Sequence, residues 1–439
     1  MRKMNIFRRV ISFLLVLLLL PLTLSPTQAT ETIHMEKRVI TDQEYYPADY
    51  AGYLYPIRPG TAAWESLADH QAMVDACMIP DNILKTMSTD ALIQSILSYP
   101  LIADIFAYTD WTYGLQIVTK NFNGLEEFSS RTDSGASIVK VILSQPVITE
   151  DLLDKETVIA FNQNSSTLLN ADYSICRTIL HSMVLSVMLC ETKYSDRIST
   201  TDKQLLADTI TKKSNASVNY SVAPPAPLHT NIVVQDATRA YTYVYQYGYT
   251  PYPLSTVSLT APNGSAVTGS TNVCAEVWYC SDGTYRIKPD AIYEDIPAAY
   301  KTTINNAFYN TYGINPIADP TVKYNCHSYA WYTASSSNSV WINDPSPYLS
   351  DGSYTVVNFA SAAVGDRIVY YESTNGTYQS PTHSARLYSI TNGKYILRSK
   401  WGMSGLYTHN ITNCPYYYTN PESGSGSIYD FRCYRRVWS

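Results

Sequence analysis

The sequence is poor in charged residues and has no excess of positive charge. Charged residues make up 15% of the 439 residues, and 31 Lys and Arg against 37 Asp and Glu give a net charge of −6. This balance argues against nucleic acid and anionic membrane surfaces as general partners. Beyond residue 24 there is no apolar run of the roughly 20 residues that a spanning helix needs. The nearest candidate, 175–190, is short and contains Arg177 and His181, so we expect a buried helix there.

The first 29 residues lack acidic side chains and have the three-part pattern of a secretory signal peptide. A basic beginning leads into an apolar run from Val10 to Leu24, and the segment ends at Ala29, a small residue that suits signal peptidase. Cleavage there removes four positive charges and leaves a net charge of −10. The pattern predicts a secreted protein, extracellular or associated with the cell wall, that has left the membrane. An uncleaved anchor is the alternative.

The remaining chain of about 410 residues is too long for one ordinary core, which favours two to three domains. Residues 30–221 have helical apolar spacing, and 222–228 form a Pro-rich linker. Residues 229–317 alternate like a small β-rich unit. Residues 318–439 have one helix followed by antiparallel strands. The predicted fold class is therefore α+β, with an all-helical N-terminal domain and an α+β C-terminal domain.

The chain has 8 cysteines, and their number bears on function. In an exported protein disulfides are allowed. If one of the 8 cysteines is catalytic, seven remain, and at least one more must stay unpaired. This parity counts against a catalytic cysteine. The pairs that the spacing allows are Cys274 with Cys280, Cys414 with Cys433, and Cys77 with Cys176 or Cys190.

The first candidate for chemistry is Cys326, which opens a short predicted helix that runs to Ser335. Cys326, Tyr329 and Ala330 then share one face, and that face packs against the sheet. At a helix N-terminus the dipole favours a thiolate, and the unpaired N–H groups can hold an oxyanion. Taken alone, a cysteine in an apolar helix is more often a small core residue.

The second candidate is His383, which opens a strand 57 residues after Cys326. The strand returns through a hairpin at 391–393, and the loop length sets which residues lie beside His383. A two-residue loop would place Arg398 and Lys400 on the face of His383. A three-residue loop would place Ser399 there.

The three-residue loop is the predicted one, because it separates apolar residues from charged residues. It pairs Ile390 with Lys394. The third member of a catalytic triad must accept the imidazole N–H, which the Ser399 hydroxyl can do and the Lys400 ammonium cannot. His409 is the other candidate for that role.

This order of a helix-borne Cys, a Gly-Asp turn and a strand-opening His resembles papain-like bacterial cysteine hydrolases. The most similar are NlpC-like peptidoglycan endopeptidases and the cysteine-histidine-dependent amidohydrolase/peptidase (CHAP) domains. The resemblance covers roughly residues 318–438, under a third of the chain. The matching segments are Asn325-Cys326-His327-Ser328, Gly365-Asp366-Arg367-Ile368-Val369 and Thr382-His383-Ser384-Ala385.

The resemblance implies a papain-like domain in which Cys326 is the nucleophile and His383 the general base. Ser399 would be the third residue, and the Tyr324 hydroxyl would help the Cys326 N–H to hold the oxyanion. We expect no metal and no cofactor, because the adjacent Cys326 and His327 cannot easily chelate one ion together and His383 with His409 lacks ligand spacing. The implied substrate is a stem peptide of peptidoglycan or another extracellular amide, and the helical half would bind a wall or protein partner. Trp401 and His409 are further binding candidates.

Two other functions stay open on the sequence. A non-catalytic protein that binds the cell wall or another surface could use the same scaffold in degenerate form. The excess of 39 Tyr over 9 Phe, the cysteine parity and the unusual Ser399 favour it. The same scaffold could also run thioester chemistry, such as acyl transfer.

Overall fold

A computed structural model describes residues 40–144, 173–213, 243–280, 284–374, 377–418 and 431–437. The predicted signal peptide and the Pro-rich linker lie outside these ranges. The described chain has both helices and antiparallel sheets, so the α+β class is confirmed.

The helices gather in the N-terminal half, and five of them begin at a side-chain cap, Thr41, Thr61, Asp69, Ser88 or Asp110. One later helix ends at Gly313, whose φ of 66° is left-handed. The helices are α1 Asp42–Tyr45, α2 Ala62–Glu65, α3 His70–Ala76, α4 Asp81–Leu84, α5 Thr89–Leu97, α6 Trp111–Asn121, α7 Asn123–Ser130, α8 Ser134–Ser144, α9 Tyr173–Cys190, α10 Thr192–Ser195, α11 Thr200–Lys213, α12 Ala298–Tyr312 and α13 Ser346–Ser350, with 3-10 turns at Ile102–Ala107 and Phe359–Ser361.

The strands form two antiparallel sheets, one in the order β1-β2-β3 and one in the order β4-β9-β8-β7-β6-β10-β5. The last strand, β10, lies inside the larger sheet, because it pairs with both β5 and β6. The strands are β1 Tyr243–Thr260, β2 Ala266–Cys280, β3 Tyr285–Tyr293, β4 Pro316–Ala318, β5 Tyr354–Val357, β6 Arg367–Thr374, β7 Thr377–Thr391, β8 Lys394–Lys400, β9 Leu406–Asn410 and β10 Phe431–Arg436.

The helical half and the larger sheet share one hydrophobic core. Leu92 and Phe106 from the helical half belong to the same buried cluster as Phe308 of α12 and Leu387 and Trp401 of the sheet. The described residues accordingly belong to one compact unit. The predicted boundary at residue 317 falls inside β4, and those at 221 and 228 lie outside the described residues, so the division into functional domains stays a prediction.

Among the described residues, α9 is the one helix that is long and apolar enough to cross a membrane. This statement rests on its length and composition only. Its buried residues, among them Ile179 and Val184, join the shared core. Arg177 donates to the Glu44 carbonyl at 3.0 Å and to the Ser98 hydroxyl at 3.3 Å. This helix is therefore packed as the core helix that the sequence predicts.

The β7–β8 hairpin combines both of the registers considered from the sequence. Thr391 pairs with Lys394, so the loop has two residues, and Asn392 and Gly393 both have positive φ. A bulge between Leu387 and Ser389 then shifts the ladder by one residue. The predicted three-residue loop is therefore wrong. The strand pairing that it predicted is nevertheless present beyond the bulge, where Leu387 pairs with Leu397.

All eight cysteines lie in the described ranges and all carry thiols, so the disulfides that the spacing allows do not form. Cys274 and Cys280 lie on one strand, β2, six residues apart. At about 3.3 Å per residue that separates them by roughly 20 Å, too far for a disulfide. The parity argument against a catalytic cysteine therefore has no force.

A buried polar cluster joins the helical half to the sheet half at its centre. His70 and Asp104 are fully buried, and His70 Nε2 lies 2.8 Å from an Asp104 carboxylate oxygen. His70 Nδ1 bonds the Tyr417 carbonyl at 2.7 Å. The Tyr312 hydroxyl donates to the other Asp104 oxygen at 2.6 Å. Three distant parts of the chain therefore meet at one carboxylate.

We expect Asp104→Ala to lower the free energy of unfolding by about 3–5 kcal/mol, because it leaves His70 and the Tyr312 hydroxyl buried without their partner. Tyr312→Phe removes a single hydrogen bond and should cost about 1–2 kcal/mol. Urea denaturation measures both. The control is Asp90→Ala, which breaks an exposed pair with Lys140 and should cost under about 1 kcal/mol. An Asp104→Ala cost no larger than that of the control would contradict the structural role.

Candidate functional site

The helix that carries Cys326 is short and irregular. It covers residues 326–332 and closes as a π-helical turn, Ser328–Tyr332, in which the Thr333 N–H donates to the Ser328 carbonyl at 3.0 Å. It is thus three residues shorter than the helix predicted to end at Ser335. Turns of this kind occur often at functional sites.

Asn325 fixes the start of this helix. Its side-chain oxygen accepts the Ser328 N–H at 3.1 Å, and its amide donates to the Ile342 carbonyl at 2.7 Å. Asn325 is 1% exposed. Both bonds are shielded from water, so they hold the backbone at Cys326 in one place.

Cys326 lies where two neighbouring strands separate. The ladder between β7 and β8 stops at Arg386 and Arg398, although both strands continue past that point. The Ser384 N–H is therefore not used in pairing with β8. The backbone N–H groups of Ser384 and His327 stabilise a Cys326 thiolate, but burial outweighs them and raises the pKa of the thiol to about 11. The group is a neutral thiol at pH 7.

His383 is fully buried on β7, opposite Tyr370 on β6. Among the described residues, neither of its ring nitrogens has a hydrogen-bond partner, and the sulfur of Cys326 is not one either. Burial, and then the neighbouring His409 and His327, lower the pKa of His383 far below its ordinary value. The ring is therefore a neutral imidazole whose two polar atoms are both unsatisfied, a costly arrangement in a protein interior.

The segment 411–418 covers His383. The Tyr416 ring stacks on the imidazole with a centroid distance of 3.7 Å and an interplanar angle of 7°. The Tyr416 hydroxyl donates to the Ala107 carbonyl, and the Tyr108 hydroxyl donates to the Pro415 carbonyl at 2.9 Å. The helical half thus holds this segment in place, and the site is closed to solvent.

Lys400 places a buried amine close to Cys326. Its Nζ donates to the carbonyls of Thr321 at 3.2 Å, Gly402 at 3.0 Å and Ser404. It also lies 5.4 Å from the centre of the Tyr324 ring. Burial lowers the pKa of Lys400 to about 7, and a positive charge there favours the thiolate form of Cys326.

Ser399 makes no hydrogen bond to His383 in this conformation, so its role as the third catalytic residue stays a prediction. The His409 Nδ1–H donates to the Asn410 carbonyl at 2.9 Å, which leaves His409 Nε2 as an acceptor. The Ser399 hydroxyl donates to that nitrogen at 2.8 Å. Trp401 Nε1 in turn donates to the Ser399 oxygen at 3.1 Å.

Trp401 and His409 belong to the interior rather than to a binding surface. Trp401 is fully buried, with its ring centre 5.0 Å from that of Phe308 and 4.7 Å from that of Tyr407. His409 is 3% exposed, and burial lowers its pKa to about 4. Trp401 therefore packs the sheet against α12, and His409 packs against the edge of Trp401.

Tyr324, the predicted oxyanion donor, is buried next to Lys400, and its hydroxyl has no hydrogen-bond partner among the described residues. Together with the two nitrogens of His383, it accounts for three of the eight buried side-chain atoms left unpaired in those ranges. Unpaired polar atoms thus concentrate on two residues of the predicted site.

Sequence reasoning missed two residues of this site. Lys400 was considered only as a triad member, although a lone lysine beside an apolar strand end was a signal of a buried cation. Tyr416 lies beyond β9 in a segment without periodicity, and no pattern predicts that it stacks on His383.

The described residues contain no group of three or more His, Cys, Asp or Glu side chains placed to hold a metal ion. Comparisons with protein families, with curated proteins and with solved structures find no match to this chain. The site must therefore be interpreted from its own geometry.

Lys400 should give the protein a measurable dependence of stability on pH. Its pKa of about 7 in the folded chain lies below the ordinary value of 10.5. Between these values the unfolded chain binds more protons, so the free energy of unfolding rises with pH. Between about pH 7 and pH 9, the slope for the natural protein should exceed that for Lys400→Met by about 1.4 kcal/mol per pH unit.

Urea denaturation across this pH range gives the two slopes. Lys400→Met has no titrating group at this position, so its slope reports the rest of the chain. Equal slopes would mean that Lys400 keeps its proton in the folded protein throughout the range.

Proposed function

We propose that the protein is a secreted cysteine hydrolase that cleaves amide bonds by a Cys-His nucleophilic mechanism on a papain-like scaffold. One observation carries the proposal. His383 is completely buried, yet neither of its ring nitrogens has a hydrogen-bond partner in the part of the chain that the structure describes. A core histidine without a task would normally be hydrogen-bonded, as His70 and His409 are.

In the proposed reaction His383 takes the proton of Cys326, and the sulfur bonds to the carbonyl carbon of the amide. The oxyanion then rests on backbone N–H groups and the Tyr324 hydroxyl. The protonated His383 gives its proton to the leaving amine. Water activated by His383 then breaks the thioester, which releases a carboxylic acid and restores the thiol.

The closed conformation would be the inactive form of such an enzyme. Burial raises the pKa of the Cys326 thiol to about 11 and lowers that of His383, so proton transfer between them is unfavourable while the site is dry. Displacement of Tyr416 would expose His383 to water and reverse both shifts. Substrate binding must therefore include movement of the segment 411–418.

For the substrate, the stem peptides of peptidoglycan remain our proposal, with another extracellular amide as the alternative. Its basis is the signal-peptide pattern, which would bring the protein to the cell wall, and the resemblance of the Cys and His segments to wall-cleaving enzymes. The helical half would then provide a wall or protein partner site.

A non-catalytic surface-binding protein is the second candidate. The complete burial of Cys326 and His383 favours it, because no substrate reaches either residue in this conformation. On this alternative the two residues are remnants of a site, and binding to the wall would not depend on them.

Reactivity of Cys326 tests whether the site can open. In the unreduced folded protein, Cys326 should react slowly with iodoacetamide at pH 8, and Tyr416→Ala should raise its rate about tenfold or more. Peptide mass spectrometry reports each cysteine separately. Cys77, which is fully buried in the helical half, is the internal control for unfolding. Equal acceleration of Cys77 and Cys326 would show loss of fold, and no acceleration of either would contradict the covering role of Tyr416.

Turnover tests the chemistry itself. Release of new amino groups from purified peptidoglycan fragments should fall by at least about 10³-fold in Cys326→Ala and in His383→Ala. Cys433→Ala removes an equally buried thiol at β10 and should leave turnover unchanged. Turnover that survives in Cys326→Ala would sink the hydrolase proposal. Wall binding that survives without any turnover in the natural protein would favour the second candidate.

A further inference from the structure

Three arginines stand side by side across the larger sheet. Arg367 of β6 is directly opposite Arg386 of β7, and Arg386 is directly opposite Arg398 of β8. Directly paired residues of antiparallel strands point to the same face, with neighbouring Cβ atoms about 5 Å apart. The row therefore places three positive charges within roughly 10 Å on the face that also carries the Cys326 helix.

No carboxylate neutralises this row in the part of the chain that the structure describes. None of the three arginines forms an ion pair there. The carboxylate next to Arg367 in sequence, Asp366, is bound to Arg435 at 2.7 Å. Burial and the neighbouring Arg367 lower the pKa of Arg386 to about 10, so its charge is retained at pH 7 but is poorly compensated.

Arg386 uses the fewest donors of the three guanidinium groups, since Arg367 also donates from Nη1 to the Gly365 carbonyl and Arg398 from Nε to the Thr408 hydroxyl at 3.4 Å. The Nε atoms of Arg367 and Arg386 both donate to the Ala330 carbonyl, at 3.2 Å and 2.9 Å. Arg398 lies over the Tyr388 ring at 3.7 Å from its centre. Arg386 donates only from Nε, to the Ala330 carbonyl. Its two terminal nitrogens have no hydrogen-bond partner among the described residues.

A structural role explains only part of this arrangement. Two arginines on one carbonyl fix the end of the Cys326 helix, but a single arginine would do that without repulsion. Like charges directly opposite each other destabilise a sheet. Local rules are broken in this way mostly where function requires it.

We propose that the row of Arg367, Arg386 and Arg398 is a binding site for an oxyanion, a carboxylate or phosphate group of a ligand. Guanidinium groups recognise such groups through two parallel N–H bonds, and the outward nitrogens of Arg386 provide them. The bound anion removes the repulsion along the row. The site does not involve Cys326 or His383, so it stands whether or not the protein is a hydrolase.

The test is the melting temperature of the mature protein in inorganic phosphate and in acetate, against chloride at equal ionic strength. An anion that binds only the folded chain raises the melting temperature with its concentration. Phosphate at about 100 times its dissociation constant should raise it by several degrees. A larger response to acetate than to phosphate would assign the site to carboxylates, and the reverse to phosphate groups.

Arg386→Gln should abolish this response and, because it relieves repulsion, should raise the melting temperature in chloride. Lys394→Gln, which removes an exposed charge from the turn of the same hairpin, is the matched control and should keep the response. Arg398→Gln is the second variant should Arg386→Gln fail to fold. Equal responses in the natural protein and in the arginine variants, or none in the natural protein, would overturn the proposal.

Discussion

The buried pair of His70 and Asp104 is the interaction on which the arrangement of the site depends. Asp104 binds α12 through Tyr312, and His70 holds the Tyr417 carbonyl. Residue 417 lies directly after Tyr416, whose ring covers His383. The same pair therefore unites the two halves of the chain and closes the candidate site. A buried pair of this kind is strongly destabilising to break, so closure is built into the fold rather than added at its surface.

Exclusion of water decides the protonation of every group in the site. Burial acts in the same sense on a thiol, an imidazole and an amine, since it favours the uncharged form of each. It raises the pKa of Cys326 to about 11 and lowers that of Lys400 to about 7. Opening would reverse these shifts together, because they have one cause. In the proposed enzyme, a movement of Tyr416 would thus change both the imidazole on which its ring stacks and the neighbouring thiol.

Local features of the fold could be predicted from the sequence, and contacts between distant segments could not. Ser88 caps its helix as its position before an apolar run predicts, and the alternation of β7 places Ala385 and Leu387 in the core. The bulge at 388 could not be predicted, because a two-residue loop followed by a bulge gives the same pairing of Leu387 with Leu397 as a three-residue loop without one. Ser399 was assigned to His383 from strand register alone. Register fixes which side chains are neighbours, but His409, from the next strand, competes for the same hydroxyl and binds it.

The separation of β7 from β8 determines which backbone groups reach Cys326. His383 and its pairing partner Tyr370 share one face of the sheet, and Tyr370 packs in the core shared with the helical half. Trp331 of the Cys326 helix packs with Val369 on the other face. A continuous sheet would keep the thiol and the imidazole apart. Because the ladder stops at Arg386 and Arg398, the Ser384 N–H turns to the Cys326 sulfur instead of to a strand. In the proposed enzyme, the gap between the strands would therefore be where Cys326, on one face of the sheet, approaches His383, on the other.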